Sequence, residues 1–146
     1  MGIKRMDNVL INVADLEKAK AFFVELGMEV EGQALVEGEW ADKVVGLTGV
    51  RSDIVMMKTS DGQGKIELCM FHSPKAVDVG AGKAPSNALG IRRIMFTVDD
   101  VQDVVDRLCE KHGAELVGEI ADYQDVFRLC FIRGPEGIIL GLAQEL

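Results

Sequence analysis

The sequence predicts an α+β chain made of two copies of one unit, strand, helix and three further strands, and three observations predict it. Residues 91–105, IRRIMFTVDDVQDVV, echo residues 7–20, DNVLINVADLEKAK. Laying Arg93 over Asn8 brings Val98 over Val13 and Asp100 over Asp15, with apolar residues at matching places between them. Each echo then runs into a helical period that a glycine closes, Gly27 in the first copy and Gly113 in the second. Between the copies lies KAVDVGAGKAPSNA, residues 75–88, small and polar with no amphipathic period, which marks a linker. Module one is therefore residues 5–74 and module two residues 89–146 of a single domain. Each module is too small to close its own core, so the two are expected to pack together.

Taken in order, MDNVLINV alternates and is β-branched enough for a strand, and Asp15 stands where a helix N-cap belongs. In the helix that follows, Leu16, Ala19, Phe22, Phe23 and Leu26 recur at helical spacing. MEVEGQALV reads as a strand with a bulge at Gly32, GEWADKVVGL as a short helical or irregular insert, and RSDIVMMKT and KIELCMF as strands either side of the turn SDGQG. The second copy repeats the order. IRRIMFTV is a strand, Asp99 or Asp100 caps the helix VQDVVDRLCEKH, AELVGEI is a strand, and VFRLCFIR and GIILGLA form a hairpin across the turn GPEG. That turn is no phosphate loop, because no lysine follows it and it leads into a strand instead of a helix.

Composition narrows the functional classes. Hydrophobic residues at 48% with charged residues at 27% are ordinary for a soluble globular chain. No segment approaches the roughly 18 apolar residues of a membrane span, and MGIKRMDN lacks the apolar run of a secretory signal, so the cytoplasm is the expected location. A formal net charge of -8 argues against nucleic acid and anionic membrane as partners, since both need a basic face. Cys69, Cys109 and Cys130 are an odd number without a CxxC pair and lie in apolar runs, which suits reduced core thiols.

Four segments in order, VADLEKAKAFFVELGMEV after the first strand, IELCMF, VDDVQDVVDRL after the restarted strand, and RGPEGIILGLAQEL, resemble the vicinal oxygen chelate superfamily, the group of glyoxalase I, bleomycin resistance proteins and extradiol dioxygenases. The resemblance covers essentially the whole chain. It implies two tandem βαβββ modules forming a cup-shaped mixed sheet, with the site inside the cup, and homodimers are common in this group. A shared fold does not imply a shared reaction.

The family's metal enzymes take ligands from the first and last strands of each module, and the resemblance carries those places onto Asn8, Glu67, Arg93 and Gly141. Only Glu67 is a good ligand. A catalytic divalent ion wants two or three converging His or carboxylate groups, whereas asparagine is a weak donor, glycine has no side chain and a guanidinium does not deprotonate. His72 has the wrong strand parity relative to Glu67, and His112 ends a helix. Neither metal nor cofactor is therefore expected. Arg93 replaces the ion with a fixed organic cation, opposite Glu67, with Asn8 able to donate and accept. Such a pair serves either as a ligand-binding device or as a structural salt bridge whose breakage is costly.

Other residues are weighed against plain packing. Trp40 stacks on a planar ligand or fills a gap beside the insert, while Met56 and Met95 offer apolar surface that adapts to varied ligands or simply completes a core. Tyr123 is read in a loop between strands, at a ligand or on the rim. Arg128 and Arg133, five apart on one strand, lie on opposite faces, so at most one faces inward. The first reading is a glyoxalase-like protein, binding a small molecule as a homodimer, with metal-independent lyase or isomerase chemistry in which Glu67 removes a proton beside a carbonyl and Arg93 holds the oxyanion. The alternatives are sequestration of a ligand or antibiotic without turnover, as in the bleomycin resistance members, and a metal-dependent lyase or dioxygenase.

Overall fold

The computed structural model describes residues 2–146. The chain divides into two compact units, one ending at Val77 and the other spanning Asp78–Leu146. Each unit is a mixed sheet with one long helix on one face.

In the first unit the strands β1 (Val9–Asn12), β2 (Glu29–Glu37), β3 (Arg51–Lys58) and β4 (Lys65–Ser73) take the order β1-β4-β3-β2. β1 runs parallel to β4 and the other pairs are antiparallel. The register of β2 shifts between Val30 and Gly32, where the sequence places a bulge. Helix α1 (Leu16–Leu26) starts where the Asp15 carboxylate accepts the Lys18 N–H, and ends where the Gly27 N–H reaches the carbonyls of Phe23 and Val24. Its buried face, Leu16, Ala19, Phe22, Phe23 and Leu26, packs on β3 and β4, whose Val55, Met57, Ile66 and Leu68 are buried and share one side of the sheet.

The insert forms helix α2 (Glu39–Val45), held to the chain behind it by one residue. The two Asp42 carboxylate oxygens accept the backbone N–H groups of Gly49 at 2.9 Å and Val50 at 2.8 Å. These two bonds favour the charged form and hold the Asp42 carboxyl below its ordinary 3.8.

The second unit repeats the plan. Strands β5 (Arg93–Thr97), β6 (Glu115–Leu116), β8 (Phe127–Arg133) and β9 (Ile139–Glu145) take the order β5-β9-β8-β6, with β7 (Ala121–Tyr123) also pairing β8. β5 is parallel to β9 as β1 is to β4. The Val13 N–H bonds the Cys69 carbonyl, and the Val98 N–H bonds the Ala143 carbonyl in the equivalent place. Helix α3 (Val101–His112) is capped by Asp100 and closed by Gly113, and it buries Val101, Val104, Val105 and Leu108 against β8 and β9.

One strand differs from expectation. In AELVGEI only Glu115–Leu116 join the ladder as β6; the chain bends through Gly118 and pairing resumes at β7. Module one keeps its equivalent strand continuous through the bulge at Gly32, whereas here the same edge breaks in two. Tyr123 consequently ends a strand instead of lying in a loop, and the turn after it places Gln124 and Asp125 at φ 48 and 56.

The linker is not uniformly free. Its residues Ala81–Lys83 form one turn of 3-10 helix against the GPEG turn. Arg133 ties the two together, donating to the carbonyls of Gly137 at 2.8 Å, Ala84 at 2.8 Å and Gly82 at 3.4 Å. The approach requires glycine. A Cβ on Gly137, where φ is +74, would fall inside the backbone of Gly82, only 2.6 Å from its carbonyl carbon.

Candidate functional site

Within module one, parallel pairing sets Leu10 opposite Glu67, and antiparallel pairing sets Met56 opposite Glu67 on the other side. All three side chains stand on the sheet face turned away from α1, because Leu68 and Val55, one residue along, are buried on the helix face. Glu67 thus stands between two apolar neighbours, and among the described residues no hydrogen bond or ion pair engages its carboxylate. Burial first, and the nearby Asp7 charge second, push its carboxyl above the ordinary 4.5. Asn8 precedes β1, and its side-chain amide donates to the Asp7 carboxylate at 3.0 Å.

Asp7 is a residue the sequence reading passed over, although it adjoins Asn8. It occupies the Asn8 donor and opposes ionisation of Glu67. Asp7→Asn is accordingly expected to lower the Glu67 pKa without restoring the ordinary value, because the burial contribution stays. Carbon-13 NMR titration of the Glu67 carboxyl measures this, and an unchanged or raised pKa would count against the arrangement.

Module two carries the equivalent geometry with different chemistry. Met95 faces Gly141 as Leu10 faces Glu67, and Arg93 stands two residues before Met95 as Asn8 stands before Leu10. The Arg93 guanidinium carbon lies 4.3 Å from the centroid of the Phe131 ring, and Phe131 is the cross-strand partner of Gly141. Gly141 leaves the space these side chains occupy. A Cβ there would collide with the Met95 Sδ, approach its Cε to 2.9 Å and reach the Arg93 Cδ at 3.4 Å. Phe131 is the second residue sequence reading missed; its alternation with Cys130 and Ile132 was the available signal.

Arg128 shares its side of β8 with the buried Cys130 and Ile132, and its guanidinium makes a two-pronged pair with Asp122 at 2.8 and 3.1 Å. Asp122 is held below its ordinary range by that bond and Arg128 is raised by it. Tyr123 is 55% exposed at the end of β7, and Trp40 is 60% exposed on α2, so neither is consumed by core packing. His72 lies on the face opposite Glu67, with its Nε2 2.7 Å from the Asp53 carboxylate. The three cysteines are free thiols, and burial pushes the thiols of Cys69, Cys109 and Cys130 up, Cys130 to about 11.

These positions do not suit a divalent metal. Of the four family ligand places, Gly141 offers no donor and its space is taken by Met95 and Arg93, while Arg93 brings a permanent positive charge. Among the described residues no three His, Cys, Asp or Glu side chains gather as a metal-holding group. No described helix is long and apolar enough to cross a membrane.

Comparison with known proteins agrees with this fold. A glyoxalase family protein from Bacillus cereus is 51% identical over 100% of this chain and 97% of its own, with a TM-score of 0.94. The trypanothione-dependent glyoxalase I of Leishmania major is 20% identical over 98% of this chain and 88% of its own, with a TM-score of 0.65, a likeness of fold alone. A glyoxalase/bleomycin resistance protein/dioxygenase domain from Frankia sp. EAN1pec is 14% identical over 99% of this chain and 100% of its own, at a TM-score of 0.65. No curated protein matches. With residues 5–142 matching its pattern, the chain belongs to the Glyoxalase/Bleomycin resistance protein/Dioxygenase superfamily.

Proposed function

We propose that this chain acts on a small carbonyl compound without a metal, with Glu67 of module one removing the proton beside the carbonyl. The C–H electron pair moves to the carbonyl oxygen as an enolate and the proton goes to a Glu67 oxygen, so the step balances without a further reactant. The observation that carries the reading is the state of Glu67. It is a carboxylate between Leu10 and Met56, free of hydrogen-bonding partners among the described residues, with its pKa raised above the ordinary value by burial and by the Asp7 charge. Arg93, resting on Phe131 with no hydrogen bond or ion pair among the described residues, has its donors available. Met56 stands beside Glu67 in module one, where Asn8 precedes β1, and Met95 stands beside Arg93 in module two.

We further propose that the working form is a homodimer, since edge strands such as β1 and β5 invite covering. Sedimentation at micromolar concentration should give twice the 15.9 kDa chain mass.

Solvent deuterium exchange into the carbon acid of 2-oxo acids and ketones, followed by proton NMR on the chelator-treated protein, tests the catalytic step. Exchange above the buffer rate that survives chelation is expected. Exchange that needs one tightly held zinc, nickel, manganese or iron per chain would overturn the metal-free step and favour the metal-dependent lyase or dioxygenase. Binding with no exchange would favour sequestration without turnover.

A further inference from the structure

We infer that module two is a carboxylate-recognition site, so that the compound this protein takes bears a carboxylate, anchored by Arg93. The inference rests on the small-molecule reading above and names the class of molecule.

The arginines of β5 and β8 differ in how their donors are used. Arg128 spends its guanidinium on Asp122, and Arg133 spends its own on three backbone carbonyls. Arg93 has neither a carboxylate nor a carbonyl partner among the described residues; its guanidinium carbon lies 4.3 Å from the centroid of the Phe131 ring. A ring below a guanidinium holds the cation in place without using its N–H groups. An arginine so held keeps five donors in a planar fork whose geometry matches a carboxylate.

The surroundings select against other uses. Met95, 47% exposed, leans over the backbone of Gly141, so one side of the cation is apolar. A carboxylate takes two of the five N–H groups in a bidentate pair, and three remain for an adjacent carbonyl oxygen. An ammonium or guanidinium guest would meet a positive charge that no ion pair among the described residues neutralises. The overall charge of -8 alone would favour a cationic guest, but the local fixed cation decides at contact distance.

The test uses three unreactive probes of one shape on the full-length protein: 3-phenylpropanoate, its methyl ester and 3-phenylpropylamine. Binding is read from the carbon-13 shift of the Met95 ε-methyl, assigned by its loss in Met95→Leu, and from calorimetry. The acid is expected to bind saturably and shift the Met95 signal, with ester and amine weaker by about ten-fold or more. Arg93→Lys should lose at least about three-fold, because it keeps the charge but not the fork, and Arg93→Met should lose the preference for the acid. Arg93→Met should keep its melting temperature, because no ion pair breaks in the module. Equal or tighter binding of the amine, an undiminished affinity in Arg93→Met, or no saturable binding of the acid at millimolar concentration would overturn the assignment. Acid binding without deuterium exchange on any carbonyl compound would sink the catalytic step and leave the carboxylate anchor standing.

Discussion

Glu67→Gln is expected to slow carbon-acid exchange by about a hundred-fold to ten-thousand-fold, the usual worth of a positioned general base, while the melting temperature at neutral pH stays level or rises. The two effects have one cause. Burial between Leu10 and Met56, and the charge of Asp7, raise the folded pKa above the ordinary 4.5. Between 4.5 and that raised value the folded state binds more protons than the unfolded state, so stability falls as pH rises through the folded pKa. Below 4.5 the stabilising contribution of the protonated form is fully present, and it is lost once the pH has passed the raised folded value. Glutamine removes the charge and with it the pH dependence, though solvent screening at this partly exposed group keeps the gain small. Thermal melts of both proteins across the acid range, together with exchange rates, measure the two sides. A large drop in melting temperature would mean that Glu67 is structural, and unchanged exchange would remove it as the base.

Gly137→Ala is expected to destabilise by about 2–4 kcal/mol, the sum of a left-handed conformation forced on a non-glycine residue and of overpacking against backbone that cannot rotate away. At φ +74 the added methyl points into Gly82, so the 3-10 turn Ala81–Lys83 must leave the GPEG turn and Arg133 loses its carbonyl partners. Gly113→Ala is the control. Its φ is +66 and nothing lies within 4 Å of the added Cβ, so it carries the conformational cost without the collision. Urea melts should show the Gly137 variant as the weaker, and amide exchange at Ala84, whose N–H bonds the Ala81 carbonyl, should accelerate only there. Equal losses in the two variants would show that the linker turn contributes nothing to stability.

The duplicated plan was legible in the chain because its signals are local. Asp15 and Asp100 accept N–H groups three residues on, Gly27 and Gly113 end helices whose apolar faces are spaced by the helical period, and the bulge at Gly32 sits inside its own strand. Strand parity correctly separated His72 from Glu67 and Arg128 from Arg133. The second strand of module two was misjudged for the opposite reason, since whether AELVGEI continues or bends depends on how much of β8 is free to pair with it.

Long-range register decided what periodicity could not. The glycine at residue 141 reads from sequence only as a missing ligand; in the fold it is the space into which Met95 and Arg93 lean. Phe131 reads as one apolar residue in an alternating strand, and becomes the support for Arg93 only once β5, β9 and β8 lie side by side. The linker reads as small and polar, yet part of it is held by Arg133, about fifty residues away in the chain. Caps, periods and turns are contacts between near neighbours, so composition and spacing encode them directly. The use to which each charge is put depends on strands that meet across the chain, and only pairing in three dimensions sets which side chain lies beside it.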